Sequence, residues 1–432
     1  MKILLVQTAN YFYSWGGAFK ANRILLQELA QRGHTCKILT PPYPLTYPDY
    51  VEKLGAEGLD PIPSASGLMY RHKGVDVHVA RDPVQMCALL MNLIREFEPT
   101  WTLVSEDDSF MILAAALEVA PSRVIYLART AINLPFGPDC TVPDPTKTEI
   151  LRKAAGILTV SNYMKDYLMR WGGMESKSIY WPSYGPGPFP FFGNFESGYV
   201  TLVNPCNLKG LPVFMELARR MPGVDFAAVP TWGGESAARS LLEQLPNVTI
   251  LQPQEDINKI FAQTRVLLVP SLCADALPQI VVQAMVRGIP VLGSDLGGIP
   301  EAKLGVDYVL PVNQLTFEPG DGRDYVEVVP EQDTGPWQEA LERLLSDAAY
   351  YDLLAADSRR AAVDFVESLG FEPFEQYLGS LSVSTTEKDA AEPAGEVSEI
   401  QKRLSDISPE RRALLALRLS KKGIVTKTVP RA

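Results

Sequence analysis

The sequence has few of the residues that build metal centres or disulfide frameworks. Its three histidines, His34, His72 and His78, show no His-x-x-x-His spacing, so no strong set of metal ligands can be assembled. The five cysteines are widely spaced, and none belongs to a Cys-x-x-Cys pair: Cys36, Cys87, Cys140, Cys206 and Cys273. This spacing predicts reduced, buried thiols rather than disulfides.

Long hydrophobic runs and an excess of basic residues are also missing. No run of about 18 apolar residues occurs, so the sequence predicts no transmembrane helix, and Lys2 does not open a basic-then-apolar leader. We therefore expect a soluble, cytoplasmic protein. With 51 acidic and 40 basic residues the formal net charge is -11. This charge argues against nucleic acid as a general partner, but it still allows a phosphate pocket inside a cleft.

The chain is long and apolar enough for two or more packed domains. It has 432 residues, of which 46% are hydrophobic, and domains usually contain about 100–200 residues. A strand, a turn and a helix follow one another at Lys2 to Arg32 and again at Tyr199 to Arg220. This repetition predicts two similar α/β domains rather than one large sheet.

The most informative segment runs from Val266 to Ala302. Two short apolar runs, Val266 to Val269 and Ile289 to Leu292, enclose a stretch with apolar residues at helical spacing. The loops after parallel strands line the ligand crevice, so Ser271 to Pro278 and Ser294 to Glu301 should face one cleft. An ordinary βαβ core unit has the same periodicity, which leaves that interpretation open.

Two further turns place polar groups at strand ends. Gly16-Gly17 separates the first strand from the first helix, and paired glycines let the backbone approach an anion closely. A simple turn is an equal alternative there. The turn Asn204 to Gly210 carries Lys209, which is either a ligand-binding cation or a solvated lysine beside the next helix.

These segments together resemble the GT-B-fold, family 4 glycosyltransferases (glycosyl transferases group 1), over roughly residues 1 to 375. That family has two acidic residues eight positions apart, then a Gly-x-Pro strand and a Gly-Gly-x-x-Glu turn. Here the pair falls on Asp275 and Gln283, and the turn is Gly297 to Glu301. The sequence departs from the family at Gln283, which is neutral, and at Leu277 and Pro278, which replace a Phe-Gly.

The resemblance implies an α/β, GT-B fold with two Rossmann-like, doubly wound domains that face each other across a cleft. A flexible linker and a C-terminal helix should follow them. The expected boundaries are an N-terminal acceptor-side domain at 1–190, a nucleotide-sugar-binding domain at 191–355, terminal helices returning to the N-terminal domain at 356–380, a linker at 381–400 and an amphipathic helical tail at 401–432.

The resemblance also implies a site for the diphosphate of a nucleotide-sugar. Gly16 and Gly17 would face the diphosphate, and Lys209 would pair with it. Asn204 occupies the place of the family's arginine, where it can donate hydrogen bonds without carrying charge.

The resemblance assigns binding of the sugar and of the ribose to the motif that contains Asp275 and Gln283. Asp275 would hold the sugar hydroxyls, and Ala276 and Leu277 follow it in the donor loop. Gln283 would replace the acid that binds ribose, although a plain helix-surface role is an alternative. Compared with the family pattern, this chain therefore lacks one positive charge, at Asn204, and one negative charge, at Gln283.

Two more positions are candidates for the chemistry. Ser105 to Asp108 follows a strand, and its carboxylates, Glu106 among them, either cap the helix from roughly Ser109 and position the acceptor or bind a metal; the first interpretation is favoured. The resembled proteins often carry a histidine where this chain has Arg129. Family 4 enzymes retain configuration, and the departing phosphate takes the acceptor's proton. The implied chemistry therefore uses a nucleotide-sugar co-substrate, with no metal and no further cofactor.

The C-terminal tail has a different character. Ser382 to Ser398 has a tether-like composition, and Ser408-Pro409-Glu410 is typical of a helix start. The helix that follows has an apolar and a basic face, and the tail resembles docking segments of modular polyketide and nonribosomal peptide synthetases. This implies a synthetase partner whose product is glycosylated. Packing onto its own domain, homodimerisation and membrane-surface adsorption remain alternatives.

Two functional classes follow. The favoured one is a retaining glycosyltransferase that moves a sugar from a nucleotide-sugar to a small-molecule acceptor, such as a polyketide or peptide natural product. The alternative is a catalytically impaired GT-B relative that serves as a binding or docking module in a biosynthetic complex, since Asn204, Arg129, Gln283 and the altered loop at Asp275 all depart from the family pattern.

Overall fold

A computed structural model describes residues 1–13, 17–105, 109–185, 187–232, 236–320 and 325–381, with the backbone alone at 236 and 237. The C-terminal tail and most of the predicted linker lie outside these residues. So do Gly16 and Glu106.

A first mostly parallel sheet occupies the N-terminal half. Its strands are β1 Lys2–Gln7, β2 Thr35–Thr40, β3 Ile62–Ser64, β4 Gly67–His72, β5 Val75–Ala80, β6 Trp101–Ser105, β7 Val124–Ala128, β8 Gly156–Thr159 and β9 Lys177–Ser178. Its helices are α1 Gly17–Gln31, α2 Tyr47–Ala56, α3 Met86–Phe97, α4 Met111–Val119, α5 Pro145–Arg152 and α6 Asn162–Tyr167, and a π-helical turn, Leu168–Gly172, follows α6.

A second sheet occupies the C-terminal half. Its strands are β10 Tyr199–Val203, β11 Phe226–Val229, β12 Val248–Ile250, β13 Thr264–Val269, β14 Val291–Ser294 and β15 Val309–Leu310, and a separate hairpin is formed by β16 Thr316–Pro319 and β17 Tyr325–Val328. The helices are α7 Leu211–Arg220, α8 Ser236–Leu242, α9 Asn258–Phe261, α10 Gln279–Met285, α11 Ile299–Ala302, α12 Gly335–Ser346, α13 Ala348–Glu367 and α14 Glu372–Ser380.

Helices cover both faces of the first sheet. Its strand order is β3-β4-β5-β2-β1-β6-β7-β8-β9, and its pairs are parallel apart from β3–β4 and β4–β5. Alternate residues of a strand point to opposite faces. Ile3 and Leu5 of β1 accordingly belong to the core formed with α1 and α14, whereas Leu4 and Val6 belong to the core formed with α3 and α4.

The second sheet is built in the same way, in the order β12-β11-β10-β13-β14-β15 with parallel pairs. Leu268 of β13 packs in a core with α7 and α12, and its neighbour Leu267 packs in a core with α10 and α13. Strands buried on both faces explain the continuous apolar runs in the sequence. The predicted α/β class with two doubly wound parallel sheets is confirmed.

The last helix returns to the first sheet. Trp101 Nε1 of β6 donates a 3.1 Å hydrogen bond to the carbonyl of Leu378 in α14. At the end of α1, Arg32 forms ion pairs with Glu372 and Glu375 at 2.6 and 3.0 Å. The chain thus crosses from the second half back to the first.

Two predicted boundaries shift. The strand expected from Ile289 begins instead at Val291, because Gly288 has a left-handed φ of 70° and Pro290 has no N–H to donate to a neighbouring strand. The helix expected from Ser109 begins at Met111, whose N–H is bonded to Ser109 Oγ at 3.2 Å. Ser161 caps the start of α6, and the α-helical part of that segment ends at Tyr167.

Candidate active site

Lys209 and Asp275 lie 66 positions apart in the sequence and meet in one crevice. Strand β10 pairs with β11 on one side and with β13 on the other. The loops that follow β10 and β13 therefore diverge, and this divergence opens the crevice in which α/β folds bind ligands. Lys209 comes from the first loop and Asp275 from the second.

The two side chains form a shielded ion pair between Lys209 Nζ and Asp275 Oδ1, with side-chain exposures of 21% and 16%. Ser271 Oγ donates a 2.7 Å hydrogen bond to the other carboxylate oxygen. Burial lowers the pKa of Lys209, but the charge of Asp275 and the groups around it raise that pKa to a net value above the ordinary one. The lysine is a fixed positive charge, and a bound anion has to share it with Asp275 or displace that carboxylate.

A close backbone contact fixes the position of Lys209. The lysine ends a short 3₁₀ turn, Asn207–Lys209, and Gly210 follows with a left-handed φ of 81°. A Cβ atom at Gly210 would lie 1.9 Å from the carbonyl oxygen of Pro270. Glycine is therefore required for this loop to approach the loop after β13.

The predicted Gly-Gly turn after β14 supports the donor loop from below. The N–H of Gly298 donates a 2.6 Å hydrogen bond to the carbonyl of Asp275, and a Cβ at Gly298 would lie 1.9 Å from the carbonyl oxygen of Ala276. Ala276 is buried and Leu277 is half-buried. The turn thus fixes the position of the backbone of the loop that carries Asp275, Ala276 and Leu277.

The first domain faces this crevice with the start of α1. Gly17 is its exposed first residue, and a Cβ placed there would lie 3.4 Å from the side-chain carboxamide of Gln279 at the start of α10. The helix that begins at Gly17 therefore approaches the donor loop across the cleft. Gly16, predicted to act with it, lies outside the described residues.

Sequence reasoning missed Gln279 and Lys20. Lys20 lies one turn after Gly17 and is half-buried. Its pKa is lowered by burial first and then by the positive charges of Arg23 and of Arg287, which belongs to the second domain. The spacing of three residues from Gly17, which places both on one side of α1, was the available signal for Lys20.

Asn204 lies in the turn after β10 with a left-handed φ of 65° and is 4% exposed. Its N–H donates a 2.8 Å hydrogen bond to the carbonyl of Val229. Asparagine tolerates this backbone conformation better than most residues. Its proposed role toward a diphosphate stays a prediction.

Gln283 lies on α10 and is half-buried. Its carbonyl accepts a 2.6 Å hydrogen bond from Arg287 Nη1. The ribose-binding role of its side chain stays a prediction.

Arg129 is held within the first domain. The residue is 9% exposed, its guanidinium lies 3.7 Å from the ring centroid of Trp181, and it donates a hydrogen bond to Asn22 Oδ1. Asn22 in turn donates to Gln7 and Ser105 at 3.0 and 2.8 Å. Such contacts give Arg129 a structural function, whereas its catalytic role stays a prediction. Glu106 lies outside the described residues.

Trp232 lies near Lys209 in the second domain. The ring is 45% exposed and its centroid lies 6.0 Å from Lys209 Nζ. The glycines that follow it lie outside the described residues.

Side-chain contacts join the domains on the β14 side of the cleft. The carboxylate of Glu301 accepts hydrogen bonds from the N–H groups of Asn162 and Tyr163, at 2.8 and 3.0 Å, and from the hydroxyl of Tyr180. Gln314 donates to Asp139. The partly positive start of α6 favours a carboxylate, so the Gly-Gly-x-x-Glu turn contacts the first domain as well as the donor loop.

Within the part of the chain that the structure describes, no group of three or more His, Cys, Asp or Glu residues is arranged to hold a metal ion. Metal independence stays a prediction. No described helix is both long and apolar enough to cross a membrane.

Comparison with known proteins supports the fold and the enzyme class. Residues 198–347 match the family model described as glycosyl transferases group 1, and no curated protein matches the sequence. Sucrose-phosphate synthase from Thermosynechococcus elongatus is similar in structure, with 14% identity and a TM-score of 0.63 over 88% of this chain and 98% of that one.

Two further structures are similar over most of their length. HepE from Anabaena, in complex with UDP-glucose, has 14% identity and a TM-score of 0.59 over 88% of this chain and 98% of that one. The catalytic domain of starch synthase IV from Arabidopsis thaliana, bound to ADP and acarbose, has 13% identity and a TM-score of 0.60 over 89% and 99%. The fold of this protein is GT-B, as the resemblance predicted.

Proposed function

We propose that this protein is a nucleotide-sugar-dependent glycosyltransferase of the family 4 type, which transfers a hexose to a small-molecule acceptor with retention of configuration. The observation that carries the proposal is the Lys209–Asp275 pair in the crevice that faces Gly17. The family match over residues 198–347 supports the enzyme class. The nucleotides bound to HepE and to starch synthase IV support the donor class.

The transfer needs no covalent intermediate on the protein. The acceptor hydroxyl oxygen forms a bond to the anomeric carbon, and the bond from that carbon to the diphosphate oxygen breaks with its electron pair moving to the diphosphate. The leaving diphosphate takes the hydroxyl proton, so the products are a glycoside and a nucleoside diphosphate. Retention follows when the hydroxyl approaches from the side on which the diphosphate departs.

The protein contributes electrostatic stabilisation. Negative charge grows on the diphosphate as it leaves, and a charge already fixed in the crevice stabilises that state without reorganising. In this proposal Lys209 supplies the positive charge, and Asp275 accepts hydrogen bonds from the sugar. The loss of the family's arginine at Asn204 accompanies the loss of its acid at Gln283, so the two changes in charge partly cancel. We propose that this chemistry requires no metal.

Thermal stabilisation of the protein by added nucleotide-sugars, called nucleotide protection below, tests the donor class. We expect one of UDP-, GDP- or dTDP-sugars to raise the melting temperature and to be slowly hydrolysed. Lys209→Ala should lose this response, because it removes the fixed cation. Lys153→Ala, which removes an exposed lysine at the end of α5, should keep it. A full panel with no shift and no hydrolysis would refute the proposal.

A second candidate function is a binding module that keeps the scaffold without transfer. The uncharged residues Asn204 and Gln283 in donor positions favour it. A nucleotide-sugar that protects the protein, yet is neither hydrolysed nor transferred to any acceptor, would select this function over the enzyme.

For the C-terminal tail we propose docking to a modular polyketide or nonribosomal peptide synthetase, on the sequence resemblance alone. Deleting residues 385–432 should abolish capture of such a partner in a pull-down. Unchanged capture would refute the docking proposal. A cytoplasmic location is proposed with it, because the five cysteines are free thiols and thiols persist in reducing compartments.

A further inference from the structure

A cavity of about 330 Å³ lies between the two domains, on the far side of the donor loop from Lys209. The strand order places β13 between β10 and β14, so the loop of Asp275 separates the Lys209 loop from the β14 loop. Ala274 and Gly297 line the cavity from the second domain, and residues of α6 and of the π-helical turn line it from the first. This position fits the second substrate.

The rim of the cavity combines two exposed carboxylates with an exposed aromatic face. Asp166 lies on α6 and Asp295 lies in the β14 loop. Trp171 is 45% exposed, and the Arg170 guanidinium lies 5.0 Å from its ring centroid. Carboxylates accept hydrogen bonds from hydroxyl groups, whereas an indole face packs against the apolar face of a ring.

Asp139 forms the inner end of the cavity and is already occupied by protein contacts. It is 4% exposed and accepts a 3.1 Å hydrogen bond from the Tyr163 hydroxyl and a further one from Gln314. Burial raises its pKa. Asp139 therefore fixes the inner shape of the cavity, while the rim residues remain accessible to a ligand.

Resting on the proposed glycosyltransferase function, we infer that this cavity binds the acceptor and that the acceptor is an uncharged, hydroxyl-rich ring such as a sugar or glycoside. One ring face packs on Trp171, and hydroxyl groups bond to Asp166 and Asp295. A further hydroxyl is directed toward the donor loop, where transfer takes place.

The charges and the volume narrow the acceptor class. Three carboxylates and one guanidinium line the cavity, so a phosphorylated or carboxylated acceptor meets net repulsion. The volume lies at the lower end of the range of about 300–1,000 Å³ for small-molecule sites. One sugar ring fits this space better than a large macrocycle.

Saturation-transfer NMR tests binding without requiring transfer. The probes are methyl glucoside, methyl galactoside, methyl mannoside, glucose 6-phosphate and 4-nitrophenol, added to the full chain with UDP and then with GDP. We expect a methyl glycoside to receive saturation and glucose 6-phosphate to receive at least fivefold less. Trp171→Ala, and Asp166→Asn combined with Asp295→Asn, should each reduce the glycoside signal at least fivefold.

Met169→Ala is the matched control, because Met169 is exposed on the same π-helical turn and does not line the cavity. It should leave the signal unchanged. The inference is overturned if no glycoside binds, if the phosphorylated sugar binds as well as the neutral ones, or if the cavity variants bind like the wild type. Glycoside binding without any nucleotide response would leave this inference standing while the proposed donor chemistry fails.

Discussion

The two sheets end at the cleft in different ways. At the edge of the first sheet, Gln7, Asn22, Ser105 and Arg129 are linked by hydrogen bonds within their own domain, and Arg129 packs on Trp181. The edge of the second sheet instead presents one opposite-charge pair with partial access to solvent.

The difference predicts that the two edges respond differently to a ligand. Polar groups already bonded within their own domain gain little by binding a ligand, so we expect the edge of the first sheet to act as a rigid wall. A buried cation held by a single carboxylate can exchange that partner for a ligand anion, because the lysine must stay paired in either state. We therefore predict that the second edge is the part that responds to substrate.

The largest effect is expected at the backbone support of the second edge. Gly298→Ala keeps a permitted φ of -88° but places a Cβ 1.9 Å from the carbonyl oxygen of Ala276. The donor loop must move, which should lower the free energy of unfolding by about 3 kcal/mol and abolish nucleotide protection. Urea unfolding and thermal shift measure both. Gly223→Ala, with no atom within 4 Å of the new Cβ, is the control, and similar behaviour of the two variants would contradict the prediction.

The charge pair itself gives the next effect. Asp275→Asn removes a charged acceptor for the sugar, and a hydrogen bond to a charged group contributes about 1.5–3 kcal/mol, so turnover should fall roughly 10- to 150-fold. UDP should bind at least as tightly, because Lys209 loses its competing partner. Steady-state kinetics and calorimetry separate the two effects. A parallel loss of UDP affinity would show that Asp275 positions Lys209 rather than competing for it.

On the first edge, the expected change is in stability rather than binding. Arg129→Met breaks the contact with Trp181 and the hydrogen bond to Asn22, which should lower the free energy of unfolding by about 2 kcal/mol. The change should leave nucleotide affinity intact. Urea unfolding followed by tryptophan fluorescence is the measurement. If the variant loses turnover while its free energy of unfolding is unchanged, Arg129 takes part in catalysis. The proposed contrast between the two edges would then be wrong.

The smallest effect concerns the pH dependence of the first sheet. Burial, aided by the charge of Lys37 and opposed by that of Asp76, lowers the pKa of His78 in β5 from 6.5 to about 4. The unfolded chain takes up this proton first on acidification, so stability is complete above pH 6.5 and is lost as the pH falls toward 4. The loss should be roughly 1–2 kcal/mol between these limits for a ring that keeps some solvent contact. In the His78→Leu variant, the urea midpoint should change less with pH over this range than it does in the wild type. An equal pH dependence in the two proteins would contradict the prediction.

Much of the fold could be predicted because its strands are buried on both faces. Tyr199 to Val203 and Leu211 to Arg220 are a strand and a helix as predicted, since a continuous apolar run and a 3.6-residue pattern leave few alternatives. Boundaries were less predictable. The start of α4 depends on the left-handed φ of 60° at Phe110, which no local pattern indicates.

For the candidate site, the sequence placed Lys209 and Asp275 in loops at strand ends, which is where the structure has them. The pairing of Lys209 with Asp275 and the approach of Gly17 to Gln279 follow from the strand order and from the placement of one domain against the other. Both depend on tertiary structure, which no local sequence pattern indicates. The same reason explains why Glu301 could be assigned to a motif but not to its partners on α6.

The position of Glu301 has a consequence for how the molecule moves. The carboxylate of Glu301 is hydrogen-bonded to two backbone amides and a tyrosine hydroxyl of the first domain on one side of the cleft, whereas on the other side a Cβ placed on Gly17 would lie 3.4 Å from the Gln279 side chain. We therefore predict that the domains separate most easily by rotation about an axis near Glu301, with the widest gap at Gly17.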